Sequence, residues 1–135
     1  MDVLERLDRN VRRRGRLFGS LTPEARHKLR IALKSVRYAS EFFGHLFLPR
    51  SAVRRYTRRA AALRDLLGEL NDATVAAKMT KQLDMSAGAD TVYAAGLVAG
   101  WCARSGVGDD IACKSAWRSL QKAERYWQDH LASSD

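Results

Sequence analysis

The segment from His27 to Phe43, HKLRIALKSVRYASEFF, holds the side chains of this sequence best suited to chemistry. On a helix turning about 100° per residue, His27, Arg30, Lys34, Arg37, Tyr38, Glu41 and His45 fall within an arc of roughly 100°. Leu29, Ala32, Leu33, Val36, Ala39, Phe43 and Phe47 take the opposite side. The helix can therefore be buried and still present its cations. Stacking His27, Arg30, Lys34 and Arg37 along one edge places like charges at i,i+3 and i,i+4 spacings, with Glu41 the single acid set to relieve them. The bland reading of such a face is a solvated one; the density of charge favours an anion bound along it, because guanidinium forks and ammonium groups suit phosphate oxygens.

Two further basic lines follow. Arg54, Arg55, Arg58 and Arg59 crowd the first turns of a third helix, and Lys114, Arg118 and Lys122 recur at i, i+4 and i+8 on a last one, with Arg125 beside them. Two such lines side by side would make a groove for a linear polyanion. Sequence does not say which lines are neighbours.

The overall charge agrees with an anionic partner. The 135 residues carry 24 Lys+Arg against 15 Asp+Glu, a net charge of +9. Residues 1–64 hold 17 basic and 5 acidic residues (+12), leaving 7 and 10 (−3) for residues 65–135, so the positive field belongs to the first half. Charge of this kind bears on partners rather than on fold. Nucleic acid is an alternative partner, since phosphate backbones supply most sequence-independent affinity. Few aromatic residues stand among the arginines, which argues against single-strand recognition.

Catalysis has little support. Asp109 and Asp110 are adjacent rather than facing, no glycine-rich phosphate loop occurs, and no metal-ligand spacing appears, so neither an enzyme nor a cofactor is expected. An exposed histidine on a bundle can carry a phosphoryl group, but no carboxylate neighbours His27 to orient its ring. Cys102 and Cys113 lack zinc or redox spacing and read as core residues of a cytoplasmic protein. The N-terminal segment mixes acids with arginines and is not a secretory signal. The most apolar stretch, TVYAAGLVAGWCA, is too short to span a bilayer and is expected to be a buried helix, so no membrane is implied.

These side chains need a scaffold, and the patterning predicts an all-α one: a single domain over residues 1–135, an antiparallel bundle of four to five helices joined by short loops. The first helix is expected from Asp2 to about Phe18. Thr22-Pro23-Glu24 is a start signal, with Thr22 as cap, for a second helix to about Phe47. Ser51 is expected to cap a third running to about Leu83, with Val53, Tyr56, Ala60, Leu63, Leu67, Leu70 and Thr74 on one side. MSAGAD reads as a turn, Thr91 to Arg104 as a helix, SGVGDD as a second turn, and Asp109 or Asp110 as the cap of a last helix to about Leu131. Asn71 and Asp72 are expected to tie helices together, and Trp117 and Trp127 to anchor the core or an interface rather than to stack on bases.

The spacing His27-xx-Arg30-xxx-Lys34-xx-Arg37-Tyr38, followed by Leu67-Gly68-Glu69-Leu70-Asn71-Asp72, resembles the CHAD domain, the conserved histidine α-helical domain, over about residues 20 to 80. The resemblance implies a helical bundle whose basic surface binds inorganic polyphosphate, often beside a CYTH triphosphatase domain. Carried over residue by residue, His27, Arg30, Lys34 and Arg37 match the family's phosphate-contacting helix, with Tyr38 following as it does there. Arg58 and Arg64 precede the second motif in the same way, and Lys114, Arg118 and Lys122 are the loosest transfers. The family has two such halves where this sequence has one, which implies half of a typical CHAD domain, a fragment or C-terminal half whose second basic surface a homodimer could supply.

Overall fold

The computed structural model describes residues 2–83, 86 and 88–128, with the side chains of residues 2 and 105–109 outside the description. It is all-α among the described residues. Helix α1 (Asp2–Arg14) leads through a 3-10 turn (Phe18–Ser20) into α2 (Pro23–Phe43). A second 3-10 turn (Gly44–Leu46) precedes α3 (Arg50–Lys81), and α4 (Ala89–Gln121) closes the order.

Local chemistry explains most boundaries. The Thr22 hydroxyl accepts from Ala25 N–H at 3.1 Å and Pro23 fills the first helical position, so α2 starts where its cap signal lies. Ser51 does not cap α3: Pro49 takes that position in extended conformation, and Ser51 lies inside the first turn. The expected turn at SGVGDD is also overturned, since α4 runs through it and Asp110 sits within the helix, ion-paired to Lys114 at 2.8 Å. The cause is tertiary. Ala95, Cys102, Cys113 and Leu120 are buried and recur at steps of 7, 11 and 7 residues, which keeps one face turned inward only if the helix is unbroken. That stripe outweighs the roughly 1 kcal/mol that each internal glycine costs.

Adjacent helices pack in sequence order, α1 on α2, α2 on α3 and α3 on α4. The lower part of α4 then returns to α1, where the Trp117 ring lies directly over Gly15 and stacks on Phe18 with centroids 5.5 Å apart. Only glycine leaves room for that ring, because a Cβ at position 15 would overlap it. The core joins Leu29, Leu33 and Val36 of α2 to Tyr56, Leu63 and Leu67 of α3.

The last helix stops at Gln121, well short of Leu131, which lies outside the described residues. The chain leaves the helix in order to fold Tyr126 and Trp127 inward, where both are buried and pack edge to face with Tyr56. Burial raises the Tyr126 phenol above its ordinary range. Beneath this cluster Asp8, 1% exposed, accepts from Tyr56 Oη at 2.7 Å and Arg12 Nε at 2.7 Å and is ion-paired with Arg125, whose Nε lies 3.1 Å away. Burial first, and the Asp8 charge second, push the Tyr56 phenol far above the usual tyrosine range, so it remains a donor.

The helices differ in length. At about 1.5 Å per residue, α3 and α4 each span close to 50 Å and α2 only about 30 Å. The upper part of α3 and the start of α4 therefore project beyond the four-layered core as a two-helix hairpin. On that hairpin the expectation of a buried apolar helix fails: within 91–104, Ala95 and Cys102 are buried, whereas Tyr93, Leu97 and Trp101 are 71%, 58% and 57% exposed.

Candidate functional site: the groove between the second and third helices

The cations of α2 fall on the side of the helix that its apolar face leaves free. Burial of Leu29, Leu33 and Val36 turns His27, Lys34 and Tyr38 outward and leaves Arg30 and Arg37 half-buried along the seam with α3. The antiparallel course of α3 brings Arg64 opposite Lys34. The result is a groove of about 340 Å³ lined by His27, Arg30, Lys34 and Tyr38 from α2 and by Arg64 and Asp65 from α3.

A second cavity, about 510 Å³, lies further along the same two helices. Arg37, Glu41 and His45 approach it from α2 and the turn that follows, and Arg50, Arg54 and Arg58 from α3. Sequence patterning puts Arg54 and Arg58 in the first turns of the third helix and does not say which helix they face. They face α2. His45, on the same arc of the sequence pattern as His27 and Arg30, lines this cavity, and its Nδ1 lies 2.8 Å from Phe42 O.

Internal partners arrange these cations. Arg37 Nε donates to Glu41 Oε1 at 2.9 Å, and Arg64 donates from Nε and Nη2 to Asp65 Oδ1 at 3.0 and 2.7 Å. Tyr38 spreads its ring beneath two charges, with Lys34 Nζ 5.7 Å and the Arg37 guanidinium carbon 5.2 Å from its centroid. Contacts of this kind partly offset the repulsion between neighbouring cations. Arg30, Lys34, Arg50, Arg54 and Arg58 form no ion pair among the described residues, so their charge is available to a ligand.

Two residues of the LGELND segment take parts that sequence reasoning missed. Gly68 is buried beneath Arg30, and a Cβ there would stand 3.2 Å from Arg30 Nη2 and 3.3 Å from Cζ. The glycine is the floor on which the guanidinium lies, a function that its cost to helix propensity hinted at without identifying. Asn71, expected to bridge helices, meets Arg26, His27 and Arg30 at the narrow end of the groove, around a cleft of about 10 Å³.

The last basic line goes elsewhere. Lys114 pairs with Asp110, its Cε facing Gly19, and no α4 residue lines either compartment of the groove among the described residues. Arg118 and Lys122 are exposed outside it. Arg55 and Arg59 also leave the groove: Arg55 pairs with Glu124 at 2.9 Å and Arg59 donates to Ser119 O at 3.1 Å, tying α3 to the end of the chain. Among the described residues no set of His, Cys, Asp or Glu side chains is arranged to hold a metal ion, and no helix is long and apolar enough to cross a membrane.

With cation-lined spaces between two of its helices, the bundle falls in the class of helical modules of the polyanion-binding type. The family model for the CHAD domain matches residues 1–81, and the chain belongs to that family. The match spans α1 to α3 and so includes α2 and α3, the two helices that form the groove. Comparison with curated proteins finds no match, and comparison with solved structures finds none.

Proposed function

We propose that this protein is a non-catalytic module that holds inorganic polyphosphate along the α2–α3 groove. The observation that carries this reading is the meeting of His27, Arg30 and Lys34 with Arg64 in one cleft, continued by Arg37, Arg50, Arg54 and Arg58 in the next. A run of cations along two parallel walls suits a ligand whose charge repeats along its length. The anionic oxygens of a polyphosphate would receive guanidinium and ammonium donors from both sides. Hydrolysis, where it occurs, belongs in this reading to a partner such as a CYTH-type domain, and the setting is the cytoplasm.

Nucleic acid would meet the same electrostatics. It is the weaker fit because Tyr38, the aromatic side chain of the first compartment, already lies against Lys34 and Arg37, and one ring makes no platform for a run of stacked bases. Phosphotransfer through His27 is weaker again, since Asp65, the acid of that compartment, is engaged by Arg64.

Titration with polyphosphates of graded length, at several salt concentrations, tests the proposal. Affinity rises with chain length and falls steeply with salt, because several cations act on one polymer and release its counterions. At equal phosphate concentration, long-chain polyphosphate displaces duplex DNA. Displacement in the opposite sense would transfer the site to nucleic acid.

A further inference from the structure

The exposed start of α4 is chemically symmetric about Leu97. Asp90, Tyr93, Leu97, Gly100, Trp101 and Arg104 share an arc of about 100° on the side of the helix turned away from α3. Counting outward from Leu97, Tyr93 and Trp101 stand four residues to either side, Ala94 and Gly100 three, and Asp90 and Arg104 seven. The two ends carry opposite charges. Both Asp90 and Arg104 are exposed, and neither has an ion-pair partner among the described residues.

An antiparallel two-fold axis at Leu97 sets residue 97+k of one chain opposite residue 97−k of the other. Each Arg104 then meets the Asp90 of the second copy, each Trp101 meets a Tyr93, and each Gly100 meets an Ala94. This is the self-complementarity an isologous interface requires: unlike charges at the rim, aromatic pairs inside it, and small residues where the backbones come closest. A Cβ at Gly96 or Gly100 would meet nothing within 4 Å inside the chain, so neither glycine is demanded by the monomer's own packing.

Tyr93, Leu97 and Trp101 are 71%, 58% and 57% exposed and form one line of large apolar side chains, with Val98 at its margin. A helix apolar on nearly every side is a buried helix, and this chain alone buries only the side facing α3.

We infer that the protein is a homodimer joined through antiparallel contact of the two α4 segments from Asp90 to Arg104. The inference is independent of the polyphosphate reading, because it uses no residue of the groove. Its consequence for that reading is that two grooves would ride on one particle and could engage one long polymer together.

Sedimentation equilibrium of the full chain, without polyanion, tests it. The expected mass is twice 15.2 kDa. Leu97→Glu, which sets two carboxylates at the axis, returns the chain to a monomer with an unchanged helical circular-dichroism spectrum. Asp90→Arg or Arg104→Asp alone weakens the dimer about tenfold, because attraction at both rims becomes repulsion, and the double exchange restores it. Trp117 and Trp127 are already buried, so a blue shift of tryptophan emission with rising concentration reports on Trp101. A wild-type chain that stays monomeric, or binds lipid vesicles as a monomer, overturns the inference. So does a dimer indifferent to Leu97→Glu, or single reversals that the double exchange fails to rescue.

Discussion

The Arg30 guanidinium rests on the backbone of α3 at Gly68, with Nη2 3.2 Å from the point a Cβ would occupy. That contact couples two sequence motifs separated by a full helical turn-around, and it separates binding from stability. Alanine at position 68 improves helix propensity by up to about 1 kcal/mol, while its methyl group lifts Arg30 by a few tenths of an ångström. Gly68→Ala is therefore expected to keep or raise Tm and yet weaken polyphosphate binding roughly threefold to tenfold, the range of one displaced charge-assisted contact. Thermal unfolding and a binding titration on the same sample check both halves.

The triple substitution of Arg30, Lys34 and Arg37 by Ala removes cations that stand off the core face and replaces them with the strongest helix former. Binding is expected to fall by at least about a hundredfold, near 3 kcal/mol for three lost charge-assisted contacts, with the helical spectrum intact. The matching substitution of Lys114, Arg118 and Lys122 removes the same charge from outside the groove and is expected to change affinity less than threefold at physiological salt, where screening acts over about 8 Å. Equal losses from the two triples would mean that net charge, rather than the groove, governs binding.

The difference between those two triples marks what the sequence disclosed and what it withheld. The stripe from His27 to Arg37 was legible because one helix carries both halves of the pattern, so its apolar residues fixed its orientation and the cations followed. Arg54 and Arg58 could be placed on a helix but not opposite a partner, because the helical period says which way a residue points on its own helix and nothing of which helix it will meet. For Lys114 and Arg118 the same ignorance led the other way. The SGVGDD segment was misread for a related reason: glycine and aspartate are local signals, and the unbroken α4 is held by Cys102 and Cys113, eleven residues apart, both buried. Gly68 matters through Arg30, which lies on it, and a contact between two helices leaves no mark in the local pattern of either.

Asp8 is the buried charge on which the return of the chain to α1 depends, with Tyr56 and Arg12 donating to it and Arg125 ion-paired to it. Asp8→Ala strands the buried Tyr56 hydroxyl and deprives the part-buried Arg12 and Arg125 of this carboxylate. The expected loss is about 3 kcal/mol, within the range for breaking a buried charge network, or about 10 °C in Tm. Tyr56→Phe removes one donor and leaves the carboxylate two arginines, so its cost should be smaller, about 1 kcal/mol. Denaturant titration of both variants checks the order.

Glu5 gives the fold a pH dependence whose sign can be worked out. The Trp127 indole donates to its Oε2 at 2.8 Å, and Gln128 and Arg125 add to the effect against partial desolvation, so the carboxyl titrates below its ordinary value of 4.5. A group depressed in the folded state contributes stability that is complete above its unfolded value and is lost as pH falls through the folded one. Glu5→Gln keeps an acceptor for the indole but discards the charge. Near pH 7 it should cost about 1 kcal/mol, or about 3 °C in Tm, since the side chain is a quarter exposed and solvent screens part of the effect. On acidification the wild-type curve should fall toward that of the variant and meet it once the folded-state carboxyl is protonated. Thermal unfolding of both proteins from neutral pH down through the carboxylate range makes the comparison, and curves that stay parallel throughout would mean that the Glu5 charge contributes nothing to holding Trp127 in place.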